Sequence, residues 1–280
     1  MTTSAEPVLL SETTTWGVRL TLNRPAKLNA LSAELRDALT AAIADAAADE
    51  RVRVIAIAGS GRAFCSGYDL SEAAPPTAWQ WRDVLERDVR ATLSIWSCPK
   101  PVIAQVHGYA LAGGLELAMA CDLVVAAEGA QLGEPEIRFG SAPVTLLMPF
   151  VVGQKRTREL LMTGDLIDAV EAERIGLVNR VVPADRLADE VNALAERLAR
   201  VPPDVMAPTK MMLNRAMDAA GFAAAVEMGL DLQAFINMSE TAREFDAIVR
   251  AEGLKAALAW RDRRYDERLA ESGRPTDPTT

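Results

Sequence analysis

The stretch GYALAGGLELAMACD, at residues 108–122, sets a glycine pair and one carboxylate into an otherwise apolar run. Two glycines at the start of a helix let a ligand approach the backbone, where the first N–H groups have no partner within the helix. Glu116 lies about one helical turn after Gly113, so a group held at the helix start would be within its reach. The same carboxylate could instead stabilise the helix dipole, and this stretch alone does not decide between the two roles.

A second glycine-rich stretch, GSGRAFCSGYDL at residues 59–70, follows a run of β-branched residues. Its glycines predict a tight loop that ends at Tyr68 and Asp69. A free N–H group of this loop, placed beside one at the helix start, would form an oxyanion hole for a thioester or similar carbonyl. Such a loop is also common as a simple turn, so the catalytic interpretation requires the two stretches to lie together.

The content of histidine and cysteine limits the chemistry that the chain can perform. It has one histidine, His107, which we expect to be structural, and three cysteines without metal-ligand spacing, Cys65, Cys98 and Cys121. An odd number of cysteines argues against a disulfide framework, so we expect these thiols to be reduced and buried. The chemistry should therefore depend on carboxylates and backbone amides.

The charge and hydropathy patterns address partners and location. The formal net charge is −9 and no Lys/Arg cluster precedes residue 250, which disfavours nucleic acid as a partner. The N-terminus has neither the basic nor the apolar region of a signal peptide, and no later stretch has the length and apolarity of a membrane span. We therefore expect a cytoplasmic protein that does not associate with membranes.

The periodicity of apolar residues predicts alternating strands and helices before residue 200. VRLTLN alternates as a strand at 18–23, Ser32 can cap a helix over 33–48, and VRVIAIAG at 52–59 is typical of a buried strand. Further strands are predicted in PVIAQVHG, DLVVAAE and GLVNRVV, and further helices at about 79–97, 155–163, 168–175 and 184–200. This order is typical of a stacked or doubly wound α/β core.

The character of the chain changes after residue 200, where we place a boundary between an α/β core (1–200) and a helical C-terminal region (201–270). The span from about 220 to 266 is predicted to be helical throughout. Its many apolar positions indicate that it packs on the core or on another subunit. The polar tail at 271–280 is predicted to be disordered.

The order of the motifs resembles the crotonase (enoyl-CoA hydratase/isomerase) superfamily, over about residues 16–215. The matching segments are LNRPAKLNALS, GRAFCSGYDL, KPVIAQVHGYALAGGLELAMACDLVVAAE, LGEPEIRFG and LLMTGDLIDAVEAERIGLVNRVVP. The resemblance implies an α/β fold, with a ββα spiral core and a helical C-terminal trimerisation region. It also implies an acyl-CoA thioester substrate and a homotrimer or a hexamer formed as a dimer of trimers.

The resemblance further implies which residues act. Glu116 and Glu136 match the family's catalytic glutamates, and the backbone N–H groups of Tyr68 and Gly113 match its oxyanion hole. The reaction implied is hydration of a 2-enoyl-CoA to a 3-hydroxyacyl-CoA, with coenzyme A as part of the substrate and no separate cofactor or metal. Substrate contacts are expected from Lys27, Leu28, Ala63, Cys65, Gly67, Asp69, Gly114, Pro143 and Val144.

The sequence departs from the family's pattern after Glu136. Family hydratases continue through a proline into a glycine-rich run, whereas here Pro143 is followed by VTLL at 144–147. A β-branched Val144 would narrow the acyl pocket or shift the loop beside Glu136. Glu134 could be a solvated acid or could perturb Glu136, and Lys210 could contact the phosphates of coenzyme A or lie on a solvated helix face.

Three alternatives to a hydratase remain open. The chain could be an enoyl-CoA isomerase, in which one glutamate moves the proton. It could catalyse another reaction of the superfamily, such as thioester hydrolysis, decarboxylation or dehalogenation. It could also be an acyl-CoA-binding protein that has lost turnover through the altered segment at 144–147.

Overall fold

A computed structural model describes residues 6–72 and 74–271 of the chain. The predicted disordered tail lies, from residue 272 onward, outside the described residues. The strands are β1 (Leu9–Thr13), β2 (Gly17–Leu22), β3 (Val54–Gly59), β4 (Val102–Val106), β5 (Tyr109–Leu111), β6 (Leu123–Ala127), β7 (Gln131–Gly133), β8 (Leu166–Asp168) and β9 (Arg180–Val182). The main sheet has the order β1-β2-β3-β4-β6-β9, and a small sheet has the order β5-β7-β8.

Helices cover the sheets and form the C-terminal region. They are α1 (Ala33–Ala48), α2 (Ala78–Ser97), α3 (Gly113–Ala120), α4 (Met148–Val151), α5 (Gln154–Thr163), α6 (Ala169–Arg174), α7 (Leu187–Ala199), α8 (Pro203–Ala219), α9 (Phe222–Ile236), α10 (Glu240–Glu252) and α11 (Leu254–Glu271). Short 3-10 turns lie at Pro25–Lys27, Pro135–Phe139 and Ala184–Arg186. The Ser32 side chain accepts a hydrogen bond from the Leu35 N–H and caps α1, as predicted.

The central strands of the main sheet are covered on both faces. Along β3, Ile55 and Ile57 belong to the large core that contains α1, α2 and α3, whereas Val54 and Ala56 belong to a smaller core against α7. Strands β2, β3, β4, β6 and β9 run parallel, and β1 joins β2 in antiparallel fashion. Burial on both faces explains why VIAIAG is apolar throughout instead of alternating.

The small sheet brings the two glutamate-bearing segments together. Strand β5 pairs in parallel with β7, so the chain leaves both strands at the same edge. Helix α3, with Glu116, follows β5, and the turn Pro135–Phe139, with Glu136, follows β7. These three-residue strands and β8, which also has three residues, are not among the predicted elements because they are too short to show a period. Strand β1 was missed for another reason: its residues, LLSET, are mostly exposed and do not alternate between apolar and polar.

The C-terminal helices pack on the core of their own chain. Phe222, Val226, Leu230 and Ala234 of α9 are buried in the large core. The prediction of uninterrupted helix from 220 to 266 is wrong in detail: a break follows α9, where Ser239 caps α10, and Gly253 (φ 88°) separates α10 from α11. The domain boundary near residue 200 stays a prediction, although α7 ends at Ala199 and α8 begins at Pro203.

No single helix among the described residues is long and apolar enough to cross a membrane. Helices α8 and α9 reach the required length and composition only as a pair, with a bend of 59° between them.

Candidate active site

The loop that ends at Tyr68 packs directly against the start of α3. A Cβ atom added to Gly113 would lie 2.6 Å from Cε2 of Tyr68, and one added to Gly114 would lie 2.5 Å from the carbonyl oxygen of Cys65. Gly67, at φ 97°, would place a Cβ atom 2.7 Å from that of Ala112. The glycines are therefore needed because two segments distant in sequence approach at backbone distance.

Two backbone N–H groups are left free where these segments meet. The N–H of Leu31 donates to the carbonyl of Gly67, and the carbonyl of Leu31 accepts from the N–H of Asp69. Tyr68 lies between these two residues, and its N–H does not take part in this pairing. Gly113 opens α3, and within residues 6–72 and 74–271 neither its N–H nor that of Tyr68 has an acceptor. Ala112 before it has φ 54° and ψ −133°, an unfavourable conformation held by its N–H bond of 2.9 Å to the Gly133 carbonyl. The arrangement can receive a carbonyl oxygen that becomes negative.

Glu116 is only 1% exposed and accepts two hydrogen bonds from a single residue. The N–H and Oγ1 of Thr145 donate to its Oε1 at 2.6 and 2.7 Å. Burial raises the pKa of Glu116, and the Thr145 donors oppose this rise by stabilising the carboxylate. A charged Glu116 is thus solvated by protein groups in place of water.

Glu136 has a different environment, although it is also buried. Among the described residues its Oε2 has no hydrogen-bond partner. Burial raises the pKa of Glu136 to about 8, and the nearby charge of Glu116 adds to the shift. This upward shift favours the protonated form of Glu136.

Glu134 is the third carboxyl of this cluster, and of the two roles considered for it the solvated one is wrong. It is 1% exposed, and neither of its oxygens has a partner in the part of the chain that the structure describes. Burial raises the pKa of Glu134 well above its usual value, and the charges of Glu136 and Glu116 raise it further. Glu134 lies between β7 and the 3-10 turn that begins at Pro135, and the sequence pattern did not indicate its burial.

The comparisons with known proteins identify the family of the chain. A family model described as Enoyl-CoA hydratase/isomerase matches residues 17–261. The chain belongs to the enoyl-CoA hydratase/isomerase family. A Mycobacterium tuberculosis protein named "Probable enoyl-CoA hydratase echA8" is 38% identical over 205 residues, which is 72% of this chain and 79% of the relative. A "Probable enoyl-CoA hydratase" of Rhizobium meliloti is 40% identical over 206 residues, 71% of this chain and 78% of the relative.

A solved structure shares the whole architecture. The enoyl-CoA hydratase/isomerase of Xanthobacter autotrophicus Py2 superposes with a TM-score of 0.89 and 41% identity, over 92% of this chain and 98% of that one. The predicted resemblance and the crotonase-like α/β fold with a helical C-terminal region are confirmed. The protein is an enzyme of the enoyl-CoA hydratase/isomerase family, and acyl-CoA is the class of substrate that this family implies.

Several residues that were predicted to contact the substrate of this enoyl-CoA hydratase/isomerase family member lie near the loop that ends at Tyr68. Lys27 is exposed and Leu28 half-buried, and their carbonyls accept hydrogen bonds from Ser66. Asp69 is held by Arg24 at 2.8 Å and by Ser71; although burial would raise the pKa of Asp69, these hydrogen bonds outweigh it and lower the pKa. Asp69 therefore anchors the loop.

Ala63 and Cys65 are fully buried beneath the loop. Burial raises the pKa of Cys65 to about 12, so its thiol stays protonated. Cys98 and Cys121 are also free and buried, as predicted. The ring of His107 lies 3.0 Å from the Gly61 carbonyl oxygen, and no group of described residues has the arrangement of a metal site.

The segment that departs from the family's pattern lies beside Glu116. Pro143 is half-buried and Val144 is buried. The carbonyl oxygen of Val144 lies so close to Gly229 in α9 that a Cβ atom added to this glycine would be only 2.3 Å from it. Helix α9 thus packs against the backbone of this segment at Val144. Thr145, which donates to Glu116, is a candidate site residue that the sequence analysis did not single out; the only signal for it was a hydroxyl within the run VTLL that replaces the glycines.

Neither predicted role for Lys210 agrees with the structure. Its side chain is buried, and its Nζ lies 2.7 Å from Oδ2 of Asp122 and donates to the carbonyls of Ile95 and Lys100. Lys210 therefore ties α8 to α2 and to the start of β6 and is not available to phosphates. An adjoining cavity of about 650 Å³ between α2, α8 and α9 includes neither Glu116 nor Glu136 in its lining.

Proposed function

We propose that this protein is an enoyl-CoA hydratase, which adds water across the 2,3 double bond of a 2-enoyl-CoA to give a 3-hydroxyacyl-CoA. The observation that carries the proposal is the contrast between the two buried glutamates. Glu116 receives two donors on one oxygen, whereas Glu136 has an oxygen with no partner among the described residues. One environment suits a carboxylate and the other suits a neutral acid, which are the two states that hydration needs.

In the proposed reaction, the Tyr68 and Gly113 N–H groups hold the thioester carbonyl oxygen. Their bonds strengthen as negative charge develops on this oxygen, which makes Cβ electrophilic and stabilises the enolate at Cα. Removal of one such donor costs an oxyanion hole about 3 kcal/mol of transition-state stabilisation. The N-terminal end of α3 adds a favourable dipole.

The two glutamates then supply the proton transfers. Glu116 removes a proton from water as the oxygen bonds to Cβ, and the proton of Glu136 bonds to Cα as the enolate collapses. The net change is addition of one water. Glu116 is left protonated and Glu136 ionised, and exchange with solvent after product release restores both. The reverse reaction uses the same groups with their roles exchanged.

Coenzyme A enters as part of the substrate, and the proposal requires no separate cofactor or metal. The exposed Lys27 and the neighbouring Leu28 are proposed to contact the coenzyme A moiety, with Ala63, Cys65, Gly67, Asp69 and Gly114 shaping the thioester end. Pro143 and Val144 are proposed to border the acyl group. We also propose a cytoplasmic location, without nucleic-acid or membrane partners.

The surface of the C-terminal helices supports a homo-oligomer, as a trimer or a hexamer. Helices α8 and α9 leave several large apolar side chains exposed: Met212, Leu213, Met228, Leu232 and Phe235. Several large exposed apolar side chains on neighbouring helices are typical of a surface that another subunit covers. We expect light scattering to give the mass of a trimer or hexamer, and Phe235→Glu to lower it; a monomer in the unaltered protein would contradict this part.

The test of the reaction is to incubate the protein with crotonyl-CoA and longer or aryl-substituted 2-enoyl-CoAs and to follow the conjugated-thioester absorbance. Glu116→Gln and Glu136→Gln should each lower kcat by about a hundredfold or more, because each removes one proton-transfer step. The exposed Glu128→Gln is the matched control and should keep full activity. Binding of a saturated acyl-CoA should survive in both active-site variants.

Three other outcomes would contradict the proposal. Substantial isomerisation of a 3-enoyl-CoA by Glu136→Gln would favour an isomerase that uses Glu116 alone. Binding of thioesters without turnover of any would favour an acyl-CoA-binding protein. Release of free coenzyme A would favour thioester hydrolysis.

A further inference from the structure

The last two helices form a hairpin with a small hydrophobic core of its own. Helices α10 and α11 meet at Gly253, which has φ 88°. Phe245 of α10 and Ala257 of α11 are buried together with Phe139, and none of the three belongs to the large core or to the core against α7. Phe139 ends the 3-10 turn that carries Glu136. The hairpin therefore packs directly on a segment of the candidate active site.

An aromatic stack joins the hairpin to this turn. The ring centroids of Phe139 and Phe245 are 4.8 Å apart, with 24° between the ring planes, and Trp260 of α11 lies 6.2 Å from Phe245. Side chains three residues apart are aligned in a 3-10 turn, so Phe139 lies on the same side of the turn as Glu136. A ring packed in a buried cluster has one preferred orientation. The stack therefore fixes the part of the turn that bears Glu136.

A second contact holds the same turn through Arg138. Its guanidinium carbon lies 3.9 Å from the centroid of the Tyr265 ring in α11. The edges of the guanidinium form an ion pair with Asp165 and a hydrogen bond of 3.0 Å from Nε to the Thr163 carbonyl. Arginine suits this position because its planar group can stack on a ring while its N–H groups donate in the plane. Arg138 is thus held between α11 and the residues at the end of α5.

The backbone that follows the turn also contacts the hairpin. Gly140 has φ 87°, and a Cβ atom added there would lie 2.6 Å from the backbone nitrogen of Ala242 in α10. The N–H groups of Gly140 and Ser141 donate to the carbonyl of Glu136. Leu70, the last residue of the glycine-rich loop GSGRAFCSGYDL, packs on the core of the hairpin. The hairpin therefore contacts both this loop and the turn with Glu136.

The two glutamates differ in how they are held. Glu116 lies within α3 and receives two hydrogen bonds from Thr145. Glu136 lies in a turn of five residues, where packing against other elements has to supply the orientation that a longer helix would supply itself. A group that transfers a proton must be held to within about 0.5 Å of the productive geometry. The elements that pack on this turn therefore decide whether Glu136 can act.

We propose that the α10–α11 hairpin positions Glu136 for proton delivery, with Phe245 and Tyr265 as the positioning residues. Phe245 acts through Phe139, and Tyr265 acts through Arg138. The inference rests on the proposed function, in which Glu136 gives its proton to Cα. It assigns to the C-terminal helices a role in the reaction of their own chain, in addition to the proposed contact between subunits.

The first experiment measures Glu136 without turnover. Infrared difference spectroscopy follows its carboxyl band through a pH titration, and the band is assigned by its loss in Glu136→Gln. Burial raises the pKa of Glu136 to about 8. Phe245→Ala leaves space beside the turn and admits water, so the midpoint should fall by about one unit. Tyr265→Leu should move it in the same direction, whereas Glu244→Gln, which removes only an exposed ion pair of 3.1 Å with Arg264 between α10 and α11, is the control and should not.

The second experiment separates positioning from a general structural role. Phe245→Ala should lower kcat on a 2-enoyl-CoA by about tenfold while the affinity for a saturated acyl-CoA stays the same, because a displaced acid affects the transition state and not binding. In the Glu136→Gln background, Phe245→Ala should have little further effect, since no acid is left to displace. Tyr265→Leu should lower kcat several-fold, and Tyr265→Phe, which keeps the ring beside Arg138, should recover the rate.

The outcomes distinguish this inference from the proposed function. A midpoint that neither Phe245→Ala nor Tyr265→Leu moves would overturn the inference, and so would a loss of kcat that is equally large in the Glu136→Gln background. If Phe245→Ala does not fold, the two Tyr265 variants decide. A midpoint that shifts in a protein that hydrates no 2-enoyl-CoA would support the positioning of Glu136 and contradict the hydratase activity.

Discussion

The Thr145→Val substitution tests the proposed role of Glu116 as the base. The change keeps the shape of a side chain that is fully buried and removes only the hydroxyl that donates to Glu116 Oε1 at 2.7 Å; the backbone N–H at 2.6 Å remains. A hydrogen bond to a charged group contributes about 1.5–3 kcal/mol. Since one pKa unit corresponds to about 1.4 kcal/mol, the pKa of Glu116 should rise by about one to two units.

The sign of the effect on activity follows from the state that the base needs. Glu116 must be ionised to accept a proton from water, and loss of the Thr145 donor favours its protonated form. The ascending limb of kcat/KM against pH should therefore move to higher pH by about one to two units. The assay is hydration of a 2-enoyl-CoA across the pH range. The rate of Thr145→Val should approach that of the unaltered protein at high pH.

Two companions make the result decisive. Thr145→Ser keeps the hydroxyl and should restore most of the original profile. Thr157→Val removes a hydroxyl of α5 that donates to the carbonyl of Gly153, and it should leave the ascending limb of the pH profile in place. If Thr145→Val lowers the rate equally at all pH values, the hydroxyl does not tune Glu116, and the argument for a stabilised carboxylate is refuted.

Further predictions concern the carboxyl cluster, the glycine contact and the buried ion pair. Burial raises the pKa of Glu134 well above 4.5, the value for the unfolded chain. Above pH 4.5 the native state therefore keeps a proton that the unfolded chain loses, and the free energy of unfolding falls as the pH rises from there. Glu134→Gln should therefore gain stability relative to the unaltered protein from weakly acidic to alkaline pH in chemical denaturation; a gain confined to low pH would contradict this sign. Gly114→Ala should lower kcat by about a hundredfold, because the added Cβ atom would lie 2.5 Å from the carbonyl oxygen of Cys65 and would displace the loop that carries the Tyr68 N–H. Full activity of this variant would show that the contact can relax. Lys210→Met should lower the free energy of unfolding by about 1–3 kcal/mol, because the carbonyls of Ile95 and Lys100 and the carboxylate of Asp122 would lose the donor that they share, and Lys210→Met combined with Asp122→Asn should recover part of the loss.

The elements with a clear period were predictable from local sequence. Helix α1 begins after its Ser32 cap, α2 ends beside Cys98-Pro99, and β3 and β4 are the buried apolar runs expected between turn signals. The three-residue strands of the small sheet carry no such signal, because their pairing is decided by contacts between distant segments. The break between α9 and α10 was missed for a related reason: capping residues within a helical composition are weak signals until the packing selects them.

The sequence by itself determined the chemical groups and their order: a glycine-rich loop ending in Tyr68, a glycine pair followed by Glu116, and Glu136 in a separate acidic segment. It also determined the family, because these motifs occur jointly. Only the tertiary structure decided the states of the carboxyls. The sequence left open whether Glu134 is solvated, and the structure buries it; Glu116 and Glu136 differ because Thr145 donates to Glu116 alone. A pKa depends on burial and on neighbours from other segments, and these exist only once parallel β5 and β7 bring their following segments to one edge of a sheet.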